Sequence, residues 1–346
     1  MRVIMSCGGT GGHIYPAIAI ADKIMEHYPD AEILFIGTKQ GMENRLVPEA
    51  GYEIRGVEAA GIDRKHLINN FTTLRKFTHG EREVHKIIDE FKPDVVIGTG
   101  GYVTGGVLLC AHAHHIKCYI HEQNAYPGVA NKLLEPFCEK VFISFPEAAQ
   151  YFKNQSKIVL TGNPIRKEFI DCDHSDDEEI LICGGSLGAE MINNAALELI
   201  KQVDDKIVFV TGKRYYPEIS KHEMPENVTL LDYENNMAER MAKAKLVISR
   251  SGAITLSEIL ASEKPAIFIP SPNVTANHQY HNAKSVADAG AAIIVEEKDL
   301  QENIGLLAEK VKELLKDKET LKNMSTKAKE IAKIDATDII YQNIYG

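Results

Sequence analysis

No two of the six cysteines form a Cys-x-x-Cys pair: Cys7, Cys110, Cys118, Cys138, Cys172 and Cys183 lie scattered along the chain. That removes the usual zinc and dithiol signatures and suits a reducing cytosol. No apolar run approaches the roughly 20 residues that cross a bilayer. The N-terminus has neither a basic lead nor a long apolar region, so no signal peptide is expected. Low-complexity tracts and short-period repeats are missing too. Positive charge is scarce: 39 Lys and Arg against 49 Asp and Glu leave a net charge of −10. That is a poor basis for binding nucleic acid, which needs clustered cations to displace counterions.

What is present is enough for two cores, since 346 residues exceed what one core usually supports. Short apolar runs alternate with helical patterns. "RVIMSC", "AEILFIG", "YEIRGVE", "PDVVIGTG" and "KCYIHEQN" read as strands, with "AIAIADKIMEHY" as an amphipathic helix. After about residue 160 the pattern restarts with "EEILICGGSLGAEMINNAALELI", followed by "KIVFVTG", "NVTLLDY", "KLVISRSG" and "PAIFIPSP". Near-continuous apolar strands between helices indicate parallel sheets covered on both faces, hence an α/β chain with two doubly wound domains. The junction falls near "VLTGNPIRKEF", dividing the chain into 1–163 and 164–335, with a C-terminal helix at about 336–346 that can pack back on the first domain.

Glycines concentrate between strands and helices. Gly8, Gly9, Gly11 and Gly12 follow the first strand, "GTGGYVTGG" follows the fourth, and "CGGSLGAE" opens the second half. Bare backbone lets N–H groups approach phosphate or sugar oxygens, and a following helix N-terminus favours negative charge. The dinucleotide fingerprint fails, because Ile14 stands where its third glycine belongs and "FIGTKQG" ends the second strand without an acid. No Gly-Lys-Ser/Thr follows either, which excludes a P-loop. A tight turn alone explains one or two glycines, not four beside a polar His13. Three such loops at strand ends suggest one ligand-filled cleft between the domains.

In order along the chain stand "GGTGGHIYPA", "GTGGYVTGG", "HEQN", "GNPIR", "GGSLGA" and "RSGAITLSEI". Together they closely resemble the MurG family, the lipid-linked N-acetylglucosaminyltransferases of bacterial peptidoglycan synthesis, over nearly the whole chain. The resemblance implies a GT-B fold of two Rossmann-like domains facing across a cleft. It implies inverting transfer of GlcNAc from UDP-GlcNAc to the muramic acid 4-hydroxyl of lipid I, giving lipid II. The first domain would take the acceptor and the membrane side, and the second UDP-GlcNAc. A UDP-GlcNAc epimerase shares the architecture and is the alternative; a non-catalytic nucleotide-sugar-binding subunit would be expected to have lost cleft polar residues that are all present here.

Inversion needs a base for the acceptor hydroxyl, stabilisation of the leaving diphosphate, and a grip on nucleotide and sugar. An imidazole titrates near neutrality, so His13 is the first candidate base, with Glu122 of "HEQN" its rival. Thr10, Gly11 and Gly12 belong to the same loop. For leaving-group charge, the loop carrying Ser186 and Gly188 and its helix N-terminus form a cradle. The resemblance adds Arg166 as a phosphate contact, against a junction salt bridge as the plain alternative. Leu187 replaces the glutamine common in the family. For the nucleotide, Ser251, Gly252 and Ala253 form a strand-to-helix turn, and the resemblance assigns Glu258 to the ribose diol and backbone near Glu234 to uracil. Asn124, His278 and Gln279 match its sugar contacts. Tyr102, His121, Asn131, Asn193 and Arg250 also match motif positions, as ligand contacts or as structural support.

No metal or cofactor is expected. "DCD" at Asp171–Asp173 mimics a metal-binding Asp-x-Asp but lies in a polar stretch with no strand leading in. The "AHAHH" histidines (His112, His114 and His115) end a helix and read as surface. A lipid acceptor implies a peripheral protein on the cytoplasmic face of the membrane, with room for cell-wall synthesis proteins as partners. In "DRKHLINNFTTLRKFTHGER", Leu67, Ile68, Phe71, Leu74 and Phe77 fall on or beside one helical face among Arg64, Lys65, Arg75, Lys76 and Arg82. Such a stripe fits anionic lipid, and it equally fits a helix half-buried on its own domain.

Overall fold

A computed structural model describes residues 1–58, 70–172, 178–185 and 187–346, with the side chains of all of these except 70–78. The chain divides into two compact units, Met1–Ile165 with Asp335–Gly346, and Arg166–Ile334.

The first unit carries strands β1 (Arg2–Cys7), β2 (Glu32–Thr38), β3 (Glu53–Val57), β4 (Val95–Gly100), β5 (Lys117–Glu122), β6 (Lys140–Ile143) and β7 (Ile158–Leu160). Its helices are α1 (Gly11–His27), α2 (Glu43–Glu49), α3 (Asn70–Phe91), α4 (Tyr102–Ala113) and α5 (Val129–Leu134). The sheet order is β3-β2-β1-β4-β5-β6-β7, all parallel, so connections reverse direction between β1 and β4. Side chains alternate across the sheet. Val3, Met5 and Cys7 join one buried cluster with Ile14, Ala17 and Ile20 of α1, while Ile4 joins another with Val103, Val107 and Leu108 of α4. Burial on both faces is why these strands read as unbroken apolar runs.

The second unit carries α6 (Glu168–Asp171), β8 (Glu179–Cys183), α7 (Glu190–Leu199), β9 (Ile207–Val210), α8 (Tyr216–Ile219), β10 (Val228–Leu231) and α9 (Met237–Ala242). It continues with β11 (Ala244–Ser249), α10 (Ala253–Ala261), β12 (Ala266–Phe268), α11 (His278–Asp288), β13 (Ala292–Ile294), α12 (Glu297–Glu302), α13 (Leu306–Lys316) and α14 (Lys318–Ile331). The order β10-β9-β8-β11-β12-β13, again parallel, reverses between β8 and β11. Ile180, Ile182, Leu246 and Ile248 pack against α7 and α13 on one face.

The last helix, α15 (Ala336–Tyr345), belongs to the first unit and lies on α1. Ile340 is fully buried, Lys23 Nζ meets Asp338 Oδ1 at 2.9 Å, and the His27 and Tyr341 rings stack at 4.1 Å. Three strands have no counterpart in the sequence reading: β6, β7 and β13. They are four, three and three residues long, no shorter than β9, β10 and β12, and their pairing with β5, β6 and β12 defines them. The first helix also begins earlier than its apolar period shows, at Gly11, which puts Gly11, Gly12 and His13 in its first turn.

Replacing Ile340 with Ala removes a buried side chain from the α1–α15 seam. Unfolding free energy should fall by about 3 kcal/mol in urea denaturation, within the usual range for such deletions; a change below about 0.5 kcal/mol would show that α15 adds nothing to the core.

Candidate active site

In the first unit, loops from β1, β2, β4 and β5 leave the same sheet edge at the reversal of strand order, where open α/β sheets hold ligands. His13 stands there, half-buried. Its Nδ1 lies 3.0 Å from the Gly8 carbonyl oxygen. An oxygen without a proton can only accept, so Nδ1 carries the hydrogen, and in the neutral ring Nε2 is the acceptor. Thr99 Oγ1 donates to the His13 carbonyl at 2.7 Å, which fixes the backbone beneath the ring. The ring lies against Gly100, where a Cβ would come within 2.7 Å of Cδ2 and 2.9 Å of Nε2, and where φ is +115°. Only glycine meets both demands. Thr10 is exposed at the N-cap of α1 without a side-chain cap bond, and the Gly11 and Gly12 amides meet no acceptor among the described residues. Tyr102 opens α4 with 79% of its surface exposed, which does not fit a packing role.

The "HEQN" residues divide differently from the sequence reading. Glu122 is 2% exposed and both its oxygens are occupied. Oε1 accepts from Asn124 N at 2.9 Å and Asn124 Nδ2 at 3.1 Å, and Oε2 from Gly128 N at 2.9 Å and Asn131 Nδ2 at 2.8 Å. A carboxylate with four donors shapes its loop, and to act as a base it would have to break that loop. His121 is fully buried, with Nε2 donating to Gly162 O at 3.0 Å and Nδ1 accepting from Gln123 Nε2 at 3.0 Å. Burial pulls its pKa down to about 4, against the opposing pull of the Gly162 carbonyl, so the ring is neutral and structural.

One important residue was not anticipated. Glu43, the first residue of α2, is fully buried and turns onto the first glycine loop. Its Oε2 accepts from Gly9 N at 3.1 Å, and its Oε1 from Thr38 N at 2.8 Å and Thr38 Oγ1 at 2.6 Å. The acid missing from "FIGTKQG" is therefore supplied two residues later, and it binds protein backbone. The signal in the sequence was a pair of glycines, Gly37 and Gly41, just before it: a Cβ on Gly41 would fall 2.1 Å from Glu43 Oε2.

In the second unit the same edge holds the loops after β8, β9, β11 and β12. Gly188 has φ +74°, and a Cβ there would lie 2.2 Å from the Thr211 carbonyl oxygen. Leu187 is 76% exposed beside it, and Ser186 lies outside the described residues. Asn193 is buried, donating through Nδ2 to Thr211 O at 3.1 Å. Glu258 is 5% exposed on α10, so it is no solvated helix residue. Its Oε1 takes both Arg166 Nε at 3.2 Å and Nη2 at 3.0 Å. Arg166 Nη1 reaches Glu168 Oε1 at 3.2 Å, and its guanidinium lies 4.5 Å from the centre of the Phe169 ring. Burial pushes the Glu258 carboxyl up to about 7, although Arg166 pulls the other way.

Ser251 is fully buried, so its hydroxyl is a tie: it donates to the Gln279 carbonyl at 2.8 Å. Gln279 Oε1 accepts from Ser271 N at 2.9 Å, and Asn282 Nδ2 donates to Ser251 O at 3.2 Å. Arg250 donates to Ile269 O at 2.9 Å and pairs with Glu297. These bonds lock the β11 turn, with Gly252 as N-cap of α10 and Ala253 as its first residue, to the segment after β12. His278 is half-buried and donates from Nδ1 to Thr275 O at 2.9 Å, just after Ala276 and Asn277 with φ of +53° and +52°. Two consecutive left-handed residues without glycine store on the order of 1–2 kcal/mol each. Glu234 accepts from Asn236 N at 2.9 Å and Arg240 Nε at 3.1 Å, so its side chain is turned inward.

Of the expected membrane-facing residues, Leu67 and Ile68 lie outside the described residues, as do the side chains of Phe71, Leu74 and Phe77 in α3. Of the histidine cluster, His112 and His115 are exposed, while His114 is half-buried with its Nε2 2.8 Å from His85 Nδ1. Among the described residues no helix is long and apolar enough to cross a membrane, and no three metal-binding side chains gather.

Two parallel-sheet units of Rossmann type, each with glycine loops at its point of strand reversal, are the architecture of the GT-B glycosyltransferases. Profiles of the glycosyltransferase family 28 N-terminal and C-terminal domains match residues 3–143 and 179–339. The chain is 45% identical to the UDP-N-acetylglucosamine--N-acetylmuramyl-(pentapeptide) pyrophosphoryl-undecaprenol N-acetylglucosamine transferase of Acetivibrio thermocellus, over 99% of this chain and 97% of that one. It is 42% identical to the protein of the same name from Clostridioides difficile, over 99% and 88%. Its structure resembles that of Acinetobacter baumannii MurG with a TM-score of 0.82 at 27% identity, covering 99% of both chains. A UDP-GlcNAc 2-epimerase from Neisseria meningitidis gives 0.69 at 16% identity over 99% of each chain, a likeness of fold alone. The chain belongs to glycosyltransferase family 28 and, within it, to the MurG family.

The Glu258 carboxyl gives a pH signature. In the unfolded chain it ionises near the ordinary carboxylate value of 4.5, but in the fold only near 7. The folded state therefore binds the extra proton between those values. The stability Glu258 contributes is complete below 4.5 and is lost as pH rises through 7. From pH 4 to 8 the wild type should lose up to about 3 kcal/mol relative to Glu258→Gln. Urea denaturation of both at the two pH values checks this, and parallel pH dependence would show that the carboxyl is not perturbed.

Proposed function

We propose that this protein transfers GlcNAc from UDP-GlcNAc to the muramic acid 4-hydroxyl of undecaprenyl-diphospho-MurNAc-pentapeptide, lipid I, producing lipid II with inversion at the anomeric carbon. The names of the relatives, at 45% and 42% identity over 99% of this chain, support the substrates. The observation that carries the chemistry is His13, whose Nδ1 is held by Gly8 O at 3.0 Å, leaving Nε2 as an acceptor. His13 takes the hydroxyl proton on Nε2 while the acceptor oxygen bonds to the anomeric carbon. The bond from that carbon to the diphosphate breaks, and UDP leaves with the electron pair. Glu122, with both oxygens occupied, shapes the loop that presents Asn124 to the sugar.

The second unit handles the nucleotide. Glu258 offers its carboxylate to the ribose diol, a role its pairing with Arg166 prepares, because the guanidinium holds the buried carboxyl in place. Arg166, the Ser186–Gly188 loop and the start of α7 meet the charge growing on the diphosphate. This reading requires no metal, since the positive charge comes from the chain itself. The β11 turn at Ser251–Ala253 and the segment bearing His278 and Gln279 frame the sugar, and backbone near Glu234 faces the base.

The segment from Asp63 to Arg82 anchors the protein as a peripheral one at the cytoplasmic membrane face, by inserting its apolar stripe among anionic headgroups. Phe71→Asp should bind phosphatidylglycerol vesicles about tenfold more weakly in co-sedimentation; unchanged binding removes the segment from the proposal.

Transfer of labelled GlcNAc to a lipid I analogue tests the activity. His13→Ala should lower kcat about 100-fold or more, with the KM for UDP-GlcNAc little changed. UDP-GlcNAc alone should yield no epimer. Near-full turnover by His13→Ala would remove the base, and epimer without acceptor would replace transferase by epimerase.

A further inference from the structure

The Gly8 carbonyl and the Gly9 amide are the two ends of one peptide group. The carbonyl accepts from His13 Nδ1 at 3.0 Å, and the N–H donates to Glu43 Oε2 at 3.1 Å. A carboxylate, a peptide group and an imidazole thus form one hydrogen-bonded line that ends at Nε2. We propose that Glu43 is a positioning residue for His13, acting through the Gly8–Gly9 peptide: its carboxylate polarises that peptide, fixes the Nδ1–H tautomer and stabilises the imidazolium formed when Nε2 takes the acceptor's proton. The proposal rests on the reading of His13 as the acceptor base.

Several features mark the carboxylate as built for this line. It is fully buried, which ordinarily disfavours a charge. Burial does press its pKa upward, but the Thr38 hydroxyl and the amides of Glu43, Thr38 and Gly9 overcome that and hold it below the usual carboxylate range. It is therefore ionised at neutral pH. No Lys or Arg pairs with it among the described residues, so its charge is not cancelled locally. The neighbouring Cys7 thiol is pushed up, first by burial and then by Glu43 itself, and stays neutral. The group on the line that can become positive is His13. Space for the carboxylate comes from Gly37 and Gly41, where a Cβ would lie 2.5 Å from Glu43 Cγ and 2.1 Å from Oε2.

Physically the line resembles a carboxylate–histidine pair with a peptide inserted. In a direct pair the carboxylate selects the tautomer and stabilises the imidazolium. Here the negative end of the peptide dipole faces Nδ1–H and its positive end faces the carboxylate. Hydrogen bonds in such a chain polarise one another, each by roughly 10–30%. Extra electron density on the Gly8 oxygen strengthens its hold on Nδ1–H most when the ring is charged, that is, during proton transfer. The inserted peptide keeps the carboxylate clear of the acceptor while leaving it close enough to act on the ring.

Glu43→Gln removes the charge, and an amide that keeps the Thr38 bond through its oxygen turns its NH2 toward Gly9 N–H. The variant should lose about tenfold or more in kcat, leave the KM for UDP-GlcNAc unchanged, and move the acid limb of the pH–rate profile to lower pH by roughly half a pH unit. In a His13→Ala background the same substitution should cost less than about twofold, because the group it supports is gone. A purely structural role would leave the acid limb in place and add its loss to that of His13→Ala; either result overturns the relay. Nitrogen-15 NMR of the histidines in the unaltered protein tests the geometry without a variant. His13 should be protonated at Nδ1 in its neutral form, and protonation at Nε2 would overturn the proposal whether or not Glu43→Gln folds. Full turnover by His13→Ala sinks both base and relay, whereas loss in His13→Ala with an unmoved acid limb in Glu43→Gln sinks the relay alone.

Discussion

Every strand pairing in both sheets is parallel, and that constraint organises the rest. Parallel neighbours need crossover helices, so all strands of a sheet end on one edge and every strand-to-helix loop gathers there. Where the order reverses, between β1 and β4 and between β8 and β11, two such loops diverge and leave room for a ligand. The same crowding brings backbone against backbone. A Cβ on Gly101 would fall 2.5 Å from the Gly8 oxygen, and one on Gly212 would fall 2.7 Å from Gly188 Cα. Glycine in these loops is thus a packing requirement before it is a binding device.

Backbone polar groups in such crowded loops still need partners. In the first unit buried carboxylates supply them: Glu43 holds the β1 loop and Glu122 the β5 loop, each taking backbone amides. In the second unit neutral side chains do the same work, with Ser251, Gln279 and Asn282 tying two loops together. The two units therefore reach similar loop geometry by different electrostatics. In the first unit the Glu43 carboxylate lies one peptide group from the proposed base. The neutral ties of the second unit lie among the residues proposed for an anionic nucleotide, where a buried carboxylate would repel. Glu258 is the exception, and it is held by Arg166.

Much of this could be read before folding. The long apolar strands, the three glycine loops and His13 were visible because they depend on local chemistry: period, turn freedom and one imidazole beside bare backbone. The strands β6, β7 and β13 were not, although β9, β10 and β12 are equally short; pairing with β5, β6 and β12 in the folded sheets is what defines them. Glu122 could be recognised as important but not sorted into base or scaffold, because that depends on donors as far along the chain as Asn131. Glu258 could be tied to the nucleotide only through the resemblance, and its burial against the Arg166 segment comes from the fold alone.

The residues that alone could be proposed from sequence were those whose type and immediate neighbours define their chemistry. Tertiary structure decided which of those groups are free to react. It closed Glu122 by surrounding it with four donors, and it oriented His13 by setting the Gly8–Gly9 peptide between the ring and Glu43. The physical reason is that a hydrogen bond depends on distance and direction in space. Glu43 is 30 residues from His13 in sequence and one peptide group away in the fold.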